Sequence, residues 1–382
     1  MNLYVKNGMV FFNGSFQKAN ITVRNGVISS LDDDYNQLLL PELDTEGKQI
    51  VPGFIDIHTH GCMGVDINHA ASQDLCEVSR FFARQGTTSY LASIATDSEE
   101  NTIRAIEQIC DAMRDRSCGA ELLGIHLEGP FLSHEYKGAM ADHFLIKADL
   151  ALFEKYQSLA GGRVKYITVS PEVEGVPELI SKIHGSGVII AIGHSGADYE
   201  TTMACIKDGA ASSTHTFNGM KLMHQHYPAV GGAVLESDIY CEAICDGRHL
   251  HPAVVRLLLK TKGLDRVVAI TDSIMATGLS DGRYVVGASE IEVINGDAKL
   301  VSDGMRAGST LTTINALKNL IKFTGRNLEE LIPLLTVNPA TLIKIEDRKG
   351  TIAVGKDADL VLLDENLNVD ATIAGGRIVY QN

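Results

Sequence analysis

Apolar residues along this chain fall into three patterns. Near the start, short apolar runs alternate with Asn-Gly pairs: Leu3-Tyr4-Val5 before Asn7-Gly8, Met9 to Phe12 before Asn13-Gly14, and Ala19 to Val23 before Asn25-Gly26. Asn-Gly between apolar runs signals a tight hairpin turn, because both residues tolerate positive φ. The last forty residues repeat this character, with a strand at 359–364 and a hairpin over 371–380 around Gly375-Gly376. Between these ends, apolar runs at 50–57, 87–94, 122–127, 164–169, 188–192, 211–214, 239–244 and 267–270 predict eight strands. Amphipathic stretches at 72–84, 101–114, 177–184 and 199–208 predict helices between them, and 310–324 and 328–335 predict helices after the eighth strand.

Eight β/α units in this order predict an α/β fold, a (β/α)8 TIM-type barrel. Strands at both termini predict a small β-sandwich domain built from the two chain ends. The expected division is 1–50 and 345–382 for the small domain and 51–344 for the barrel. A doubly wound sheet is the rival fold, but neither GxGxxG nor GxxxxGK[ST] is present to open it.

Polar residues at the strand ends carry the candidate chemistry. The first predicted strand ends in His58-x-His60, whose side chains share a face. The third places His126 and Glu128 on one face, the fifth ends in His194, the sixth in His215 and the eighth in Asp272. Catalytic groups of such barrels gather at the C-terminal ends of the strands. His58, His60, Glu128, His194 and His215 therefore form a ligand set for one or two divalent ions, with Glu128 suited to bridge two. Zn²⁺ or Fe²⁺ fits these donors, with Mn²⁺ or Co²⁺ also acceptable. His126 reads as a packing residue behind the ligands. A bound ion lowers the pKa of a water to about 7, so a neighbouring carboxylate, Asp272, suits the acid/base role.

Composition narrows the partners. A net charge of -15 argues against nucleic acid, and no apolar run nears the eighteen residues of a membrane span. The N-terminus lacks a signal-peptide pattern, and seven Cys without a CxxC pair predict reduced thiols in a cytoplasmic protein.

Two motifs, Pro52-Gly-Phe-Ile-Asp-Ile-His-Thr-His60 and Gly355-Lys-Asp-Ala-Asp-Leu-Val361, resemble the amidohydrolase superfamily. His126-Leu-Glu-Gly-Pro130, Gly193-His-Ser195, Thr214-His-Thr-Phe-Asn218, Asp246-Gly-Arg-His249 and Thr271-Asp272 resemble, more narrowly, the N-acetylglucosamine-6-phosphate deacetylases. The resemblance spans essentially the whole chain. It implies removal of acetate from the 2-acetamido group of an amino sugar 6-phosphate. Glu128, His194 and His215 would hold the main metal, His58 and His60 a second, and Asp272 would activate water and protonate the departing amine. It also implies substrate contacts from Asn218, Gly219, His249 and the loop Arg306-Ala307-Gly308-Ser309, and a homodimer with sites near the subunit interface.

The chain departs from the family pattern twice. Lys137-Gly-Ala139-Met140 stands where the family usually ends in a His near the reacting carbonyl, and His143 is a candidate replacement. In Gln225-His226-Tyr-Pro-Ala229, His226 stands where the family usually has a phosphate-binding Arg. The extra cations Lys221, Arg248 and Arg306 are candidates to carry that charge, Arg248 first. The alternatives are a hydrolase of another N-acyl substrate, unphosphorylated or of galactosamine type, and a non-catalytic relative kept as a binding scaffold.

Overall fold

The computed structural model describes residues 1–32, 40–115, 118–287 and 289–382. Eight parallel strands form its centre: Phe54–Asp56, Thr87–Ala95, Glu121–Glu128, Val164–Val169, Ile189–Ile192, Ser212–Ser213, Tyr240–Ile244 and Val267–Ile270. Each pairs with its sequence neighbour, and helices fill most of the connections. The last strand returns to the first through a narrow seam. Asp272 N donates to His58 O at 2.9 Å and His60 N to Ser273 O at 2.7 Å. The hydroxyls of Thr59 and Ser273 meet at 2.6 Å. Beneath the seam the buried Asp56 carboxylate accepts the Thr271 hydroxyl at 2.6 Å. The sheet thus nearly closes into a barrel, held at its joint by residues interleaved with the predicted ligands.

The apolar run 50–57, expected as one strand, is two. Gln49–Pro52 belongs to the terminal sheet and Phe54–Asp56 to the barrel. The chain crosses between them at Gly53, where a Cβ would fall 2.1 Å from Thr88 Oγ1. Only glycine fits so close an approach.

Both termini form one eight-stranded sheet, in the order Arg377–Gln381, Val369–Ala374, Leu360–Leu363, Gln49–Pro52, Leu3–Phe12, Ser15–Arg24, Val27–Asp32, with Glu42–Asp44 beside Leu3–Phe12. It encloses Val5, Val10, Ile21, Val23, Ile28, Ile50, Leu360, Leu362 and Ile373. The expected sandwich is therefore a single sheet folded round its own core. Asn13-Gly14 and Asn25-Gly26 turn with positive φ at both residues, as hairpin turns require. Asn7-Gly8 does not turn. Asn7 makes a bulge within Leu3–Phe12, tied by its N–H to Asn20 Oδ1 at 2.9 Å and by Nδ2 to Asp44 Oδ1 at 3.0 Å. The sheet is anchored to the foot of the barrel by the buried Lys349, whose Nζ lies 2.5 Å from Asp359, 2.7 Å from Glu121 and 3.2 Å from Asp357.

Three further differences from the sequence reading have physical causes. The stretch after the eighth strand holds an antiparallel sheet, Gly282–Val286, Ser289–Ile294 and Asp297–Leu300, before the helix Thr313–Thr324. Its Ile291, Val293, Ala298 and Leu300 cover Ile274, Ala276 and Ala307. The predicted helix 328–335 tightens from Leu328–Leu331 into a 3₁₀ turn, Ile332–Leu335, because Pro333 lacks the N–H to continue. Finally, Cys76 and Cys118 form a disulfide, so the expectation of reduced thiols fails for this pair. The barrel brings together two residues 42 apart that no local motif links. Cys62, Cys205, Cys241 and Cys245 are free and buried.

Candidate metal centre

The C-terminal ends of strands one, three, five, six and eight carry their polar groups into one buried cluster. His58, His60 and Asp272 form one set of three close donors, and Glu128, His194 and His215 another. Glu128 faces both. Its Oε1 lies 3.2 Å from Nε2 of His194 and of His215 and 3.5 Å from His58 Nε2, while Oε2 lies 3.2 Å from His60 Nε2. Asp272 Oδ1 stands 3.4 Å from His60 Nε2 and 3.6 Å from His58 Nε2. Asp272, read from the sequence as an acid/base group alone, is also a third donor beside the first-strand pair.

The chemistry of these donors fits divalent cations. His58 Nδ1 is 2.9 Å from the Glu242 carboxylate and His194 Nδ1 is 2.8 Å from the Tyr136 carbonyl. Both partners only accept, so Nδ1 donates and, in the neutral rings, Nε2 carries a lone pair. Those lone pairs face carboxylate oxygens and one another: His58 and His60 Nε2 are 3.2 Å apart, His194 and His215 Nε2 3.0 Å. Acceptors crowded this way need positive charge between them. The proton affinities agree. Burial raises the Glu128 carboxyl, yet His58 and the bonds from His194, His215 and His60 hold it well below the usual range. Burial disfavours a charged His58, yet Glu242 and Glu128 lift it to about 9. A divalent ion in each group satisfies the same demand.

The backbone is also bent to this purpose. His194, His215 and Asp272 have φ of 48°, 29° and 49°, a left-handed region costly for residues with a Cβ and typical of functional sites. Gly308, at φ +56°, lies against Asp272, and a Cβ there would meet the Asp272 carbonyl at 2.9 Å. Gly219 abuts His194 in the same manner, at 3.1 Å. His126 stands behind His58 with ring centroids 4.6 Å apart. Both its nitrogens are taken, Nδ1 by Ser93 at 2.8 Å and Nε2 by Thr168 at 2.9 Å, so it packs the cluster from outside.

The remaining candidates spread around the barrel mouth. Ser309 donates to Thr271 O at 2.5 Å, and Ala307 is buried beneath the three-stranded insert. Asn218 Nδ2 donates to His215 O at 3.1 Å. His249 holds its Nδ1 against Asp246 at 2.7 Å. Arg248 donates to the Asn295 carbonyl in the insert, near Gly296, whose carbonyl accepts from Thr310 at 2.7 Å. Met140 and Ala139 lie on the loop whose Lys137 Nζ donates to Met140 O at 2.9 Å. Four candidates stand apart. Arg306 is held by both oxygens of Asp297 at 2.9 and 3.2 Å. His226 and Lys221 belong to an exposed loop with Leu222, Met223 and Tyr227. His143 is exposed, its ring 4.0 Å from that of Phe144. Glu242, fully buried, is a participant the sequence reading missed, and the one signal it offered was a charge in the middle of an apolar strand.

Residues 49–379 match the amidohydrolase family. The chain is 34% identical over 383 residues to an N-acetylglucosamine-6-phosphate deacetylase of Lysinibacillus sphaericus, covering 100% of this chain and 98% of that one. It is 37% identical over 335 residues to the enzyme of that name from Bacillus subtilis, covering 87% and 84%. A variant of the Mycobacterium smegmatis N-acetyl-D-glucosamine-6-phosphate deacetylase, solved with N-acetyl-D-glucosamine-6-phosphate, superposes with a TM-score of 0.92 at 28% identity and full coverage of both chains.

Proposed function

Because the chain belongs to the amidohydrolase family, and within it to the N-acetylglucosamine-6-phosphate deacetylases, we propose that it hydrolyses the acetamido group of N-acetylglucosamine 6-phosphate to acetate and glucosamine 6-phosphate. The observation that carries this reading is the pair of buried donor groups, His58, His60 and Asp272 beside Glu128, His194 and His215, with Glu128 facing both. His58, His60 and Asp272 would hold one ion and Glu128, His194 and His215 the other, zinc or iron before manganese or cobalt. Bound ions lower the pKa of water to about 7 and polarise a carbonyl.

The chain's own groups do the rest. Asp272 is buried, yet His60 and His58 keep its carboxyl below the usual range, so it is ionised and ready to accept a proton from the attacking water. It then gives that proton to the amine as the C–N bond breaks. His249, oriented through Asp246, presents its other nitrogen to the sugar, and Asn218, Gly219 and the loop Ala307–Ser309 line the remaining wall. We assign the phosphate to Arg248 ahead of Arg306, because Asp297 already occupies the Arg306 fork. Met140 and Ala139 would border the acetyl group. The protein would work in the cytoplasm, where phosphorylated sugars are retained, as a homodimer.

The first test is acetate release from phosphorylated and unphosphorylated N-acetylglucosamine, with Zn²⁺, Fe²⁺ or Mn²⁺ supplied. A charge-assisted phosphate contact predicts a preference of about 10- to 100-fold in kcat/KM for the phosphorylated sugar. Arg248→Ala should remove most of it. The exposed setting of His226 and the pairing of Arg306 favour one rival, a substrate without the phosphate or of galactosamine type. Equal rates on both sugars would establish that rival.

A further inference from the structure

Glu242 sits, fully buried, at the centre of the barrel strand Tyr240–Ile244. Such a group is expensive to bury unless it is bonded. Its Oε2 accepts two hydrogen bonds, and the donors are telling. One is Nδ1 of His58, at 2.9 Å, from the first donor group. The other is the backbone N–H of His215, also at 2.9 Å, from the second. A single oxygen thus touches a member of each group. It fixes His58 with Nε2 toward Glu128 and Asp272, and it pins the peptide of His215 where φ is a strained 29°.

We propose that Glu242 is the positioning residue that couples the two metal positions. Through Nδ1 it sets the tautomer and orientation of the His58 ring, leaving Nε2 toward Glu128 and Asp272. Through the His215 amide it holds the strained backbone that aims the second ligand. Loss of the carboxylate would therefore strike the His58–His60–Asp272 position first, since that ring loses its charged partner, and the Glu128–His194–His215 position less. The inference rests on the two-ion reading above.

The test is metal retention, independent of turnover. The apoprotein is loaded with Zn²⁺ and then dialysed against graded concentrations of a chelator, with zinc per chain measured at each step. The wild-type protein should hold two ions. Glu242→Gln keeps the shape and an acceptor oxygen but not the charge. It should release one ion at about 10- to 100-fold lower chelator concentration, the usual effect of removing a partner behind a ligand. In Co²⁺-loaded protein the visible absorption of one of the two ions should shift. In a His58→Asn background the same change should have a much smaller effect, since its main route to the metal is gone. Two ions held equally tightly by the wild type and Glu242→Gln would overturn the proposal and leave the two-ion reading standing. Fewer than two ions in the wild type under excess zinc would overturn both. Should Glu242→Gln not fold, ¹⁵N spectra of the zinc-loaded wild type decide: a His58 ring protonated at Nδ1 is expected, and one protonated at Nε2 overturns the proposal.

Discussion

Replacing Asp272 by Asn is expected to lower kcat for acetate release by about 10²- to 10⁴-fold, the span that a positioned proton carrier contributes. Asn matches Asp in size and keeps one oxygen toward His60 and His58, from which Asp272 Oδ1 stands 3.4 and 3.6 Å. It cannot take up a proton. Elemental analysis must accompany the kinetics, because Asp272 is also a donor in the first group. A variant that keeps its metal and loses no more than a few-fold in kcat would refute the acid/base role. One that loses both would show the side chain acting chiefly as a ligand.

The largest effect on stability is expected at the other end of the barrel. Lys349 is 2% exposed and lies within 3.2 Å of three carboxylates, Asp359, Glu121 and Asp357. Lys349→Met fills a similar volume but strands them, and removing one partner of a buried ionic group costs about 3–5 kcal/mol. Arg348, 2.7 Å from Asp357 and 3.8 Å from Glu121, softens the loss at those two carboxylates but not at Asp359. The deficit should depend on pH with a definite sign. Burial already raises the Asp359 carboxyl despite Lys349. Without the ammonium its folded-state pKa rises further above the unfolded value, so the folded state binds the extra proton. The variant should regain stability as pH falls and lose it as pH rises through that raised value. Guanidinium denaturation at pH 5 and pH 8 measures this, and a deficit below 1 kcal/mol at pH 8 would contradict the assignment.

What could be seen in the sequence was whatever a local pattern carries. Barrel strands are buried on both faces and read as short apolar runs with polar residues at their ends, so the six residues that the structure gathers into two donor groups, His58, His60, Glu128, His194, His215 and Asp272, could be picked out in advance. Glu242 was not, because nothing in Tyr240–Ile244 states that the carboxylate meets an imidazole 184 residues away. The same limit hid the partnership of Arg306 with Asp297 and the disulfide between Cys76 and Cys118. The insert Gly282–Leu300 was missed because its strands are short and half exposed, so their alternation is faint. At Asn7-Gly8 a sound local signal lost to long-range bonds: the left-handed Asn7 serves a bulge, held by Asn20 and Asp44.

The seam between strands one and eight has a consequence for biosynthesis. His58, Thr59 and His60 leave the ribosome early, while Asp272 and Ser273, which close the ring against them, follow more than two hundred residues later. Until then the first half-site has two of its three donors, and the opening strand has an unpaired edge. A nascent chain halted before Asp272 should therefore have little hold on metal at this first position, though Glu128, His194 and His215 are already made, while one carried past Ser309 can lock the first ion in as the ring shuts. Filling of that first position would then be timed by translation of the eighth strand rather than by metal supply alone.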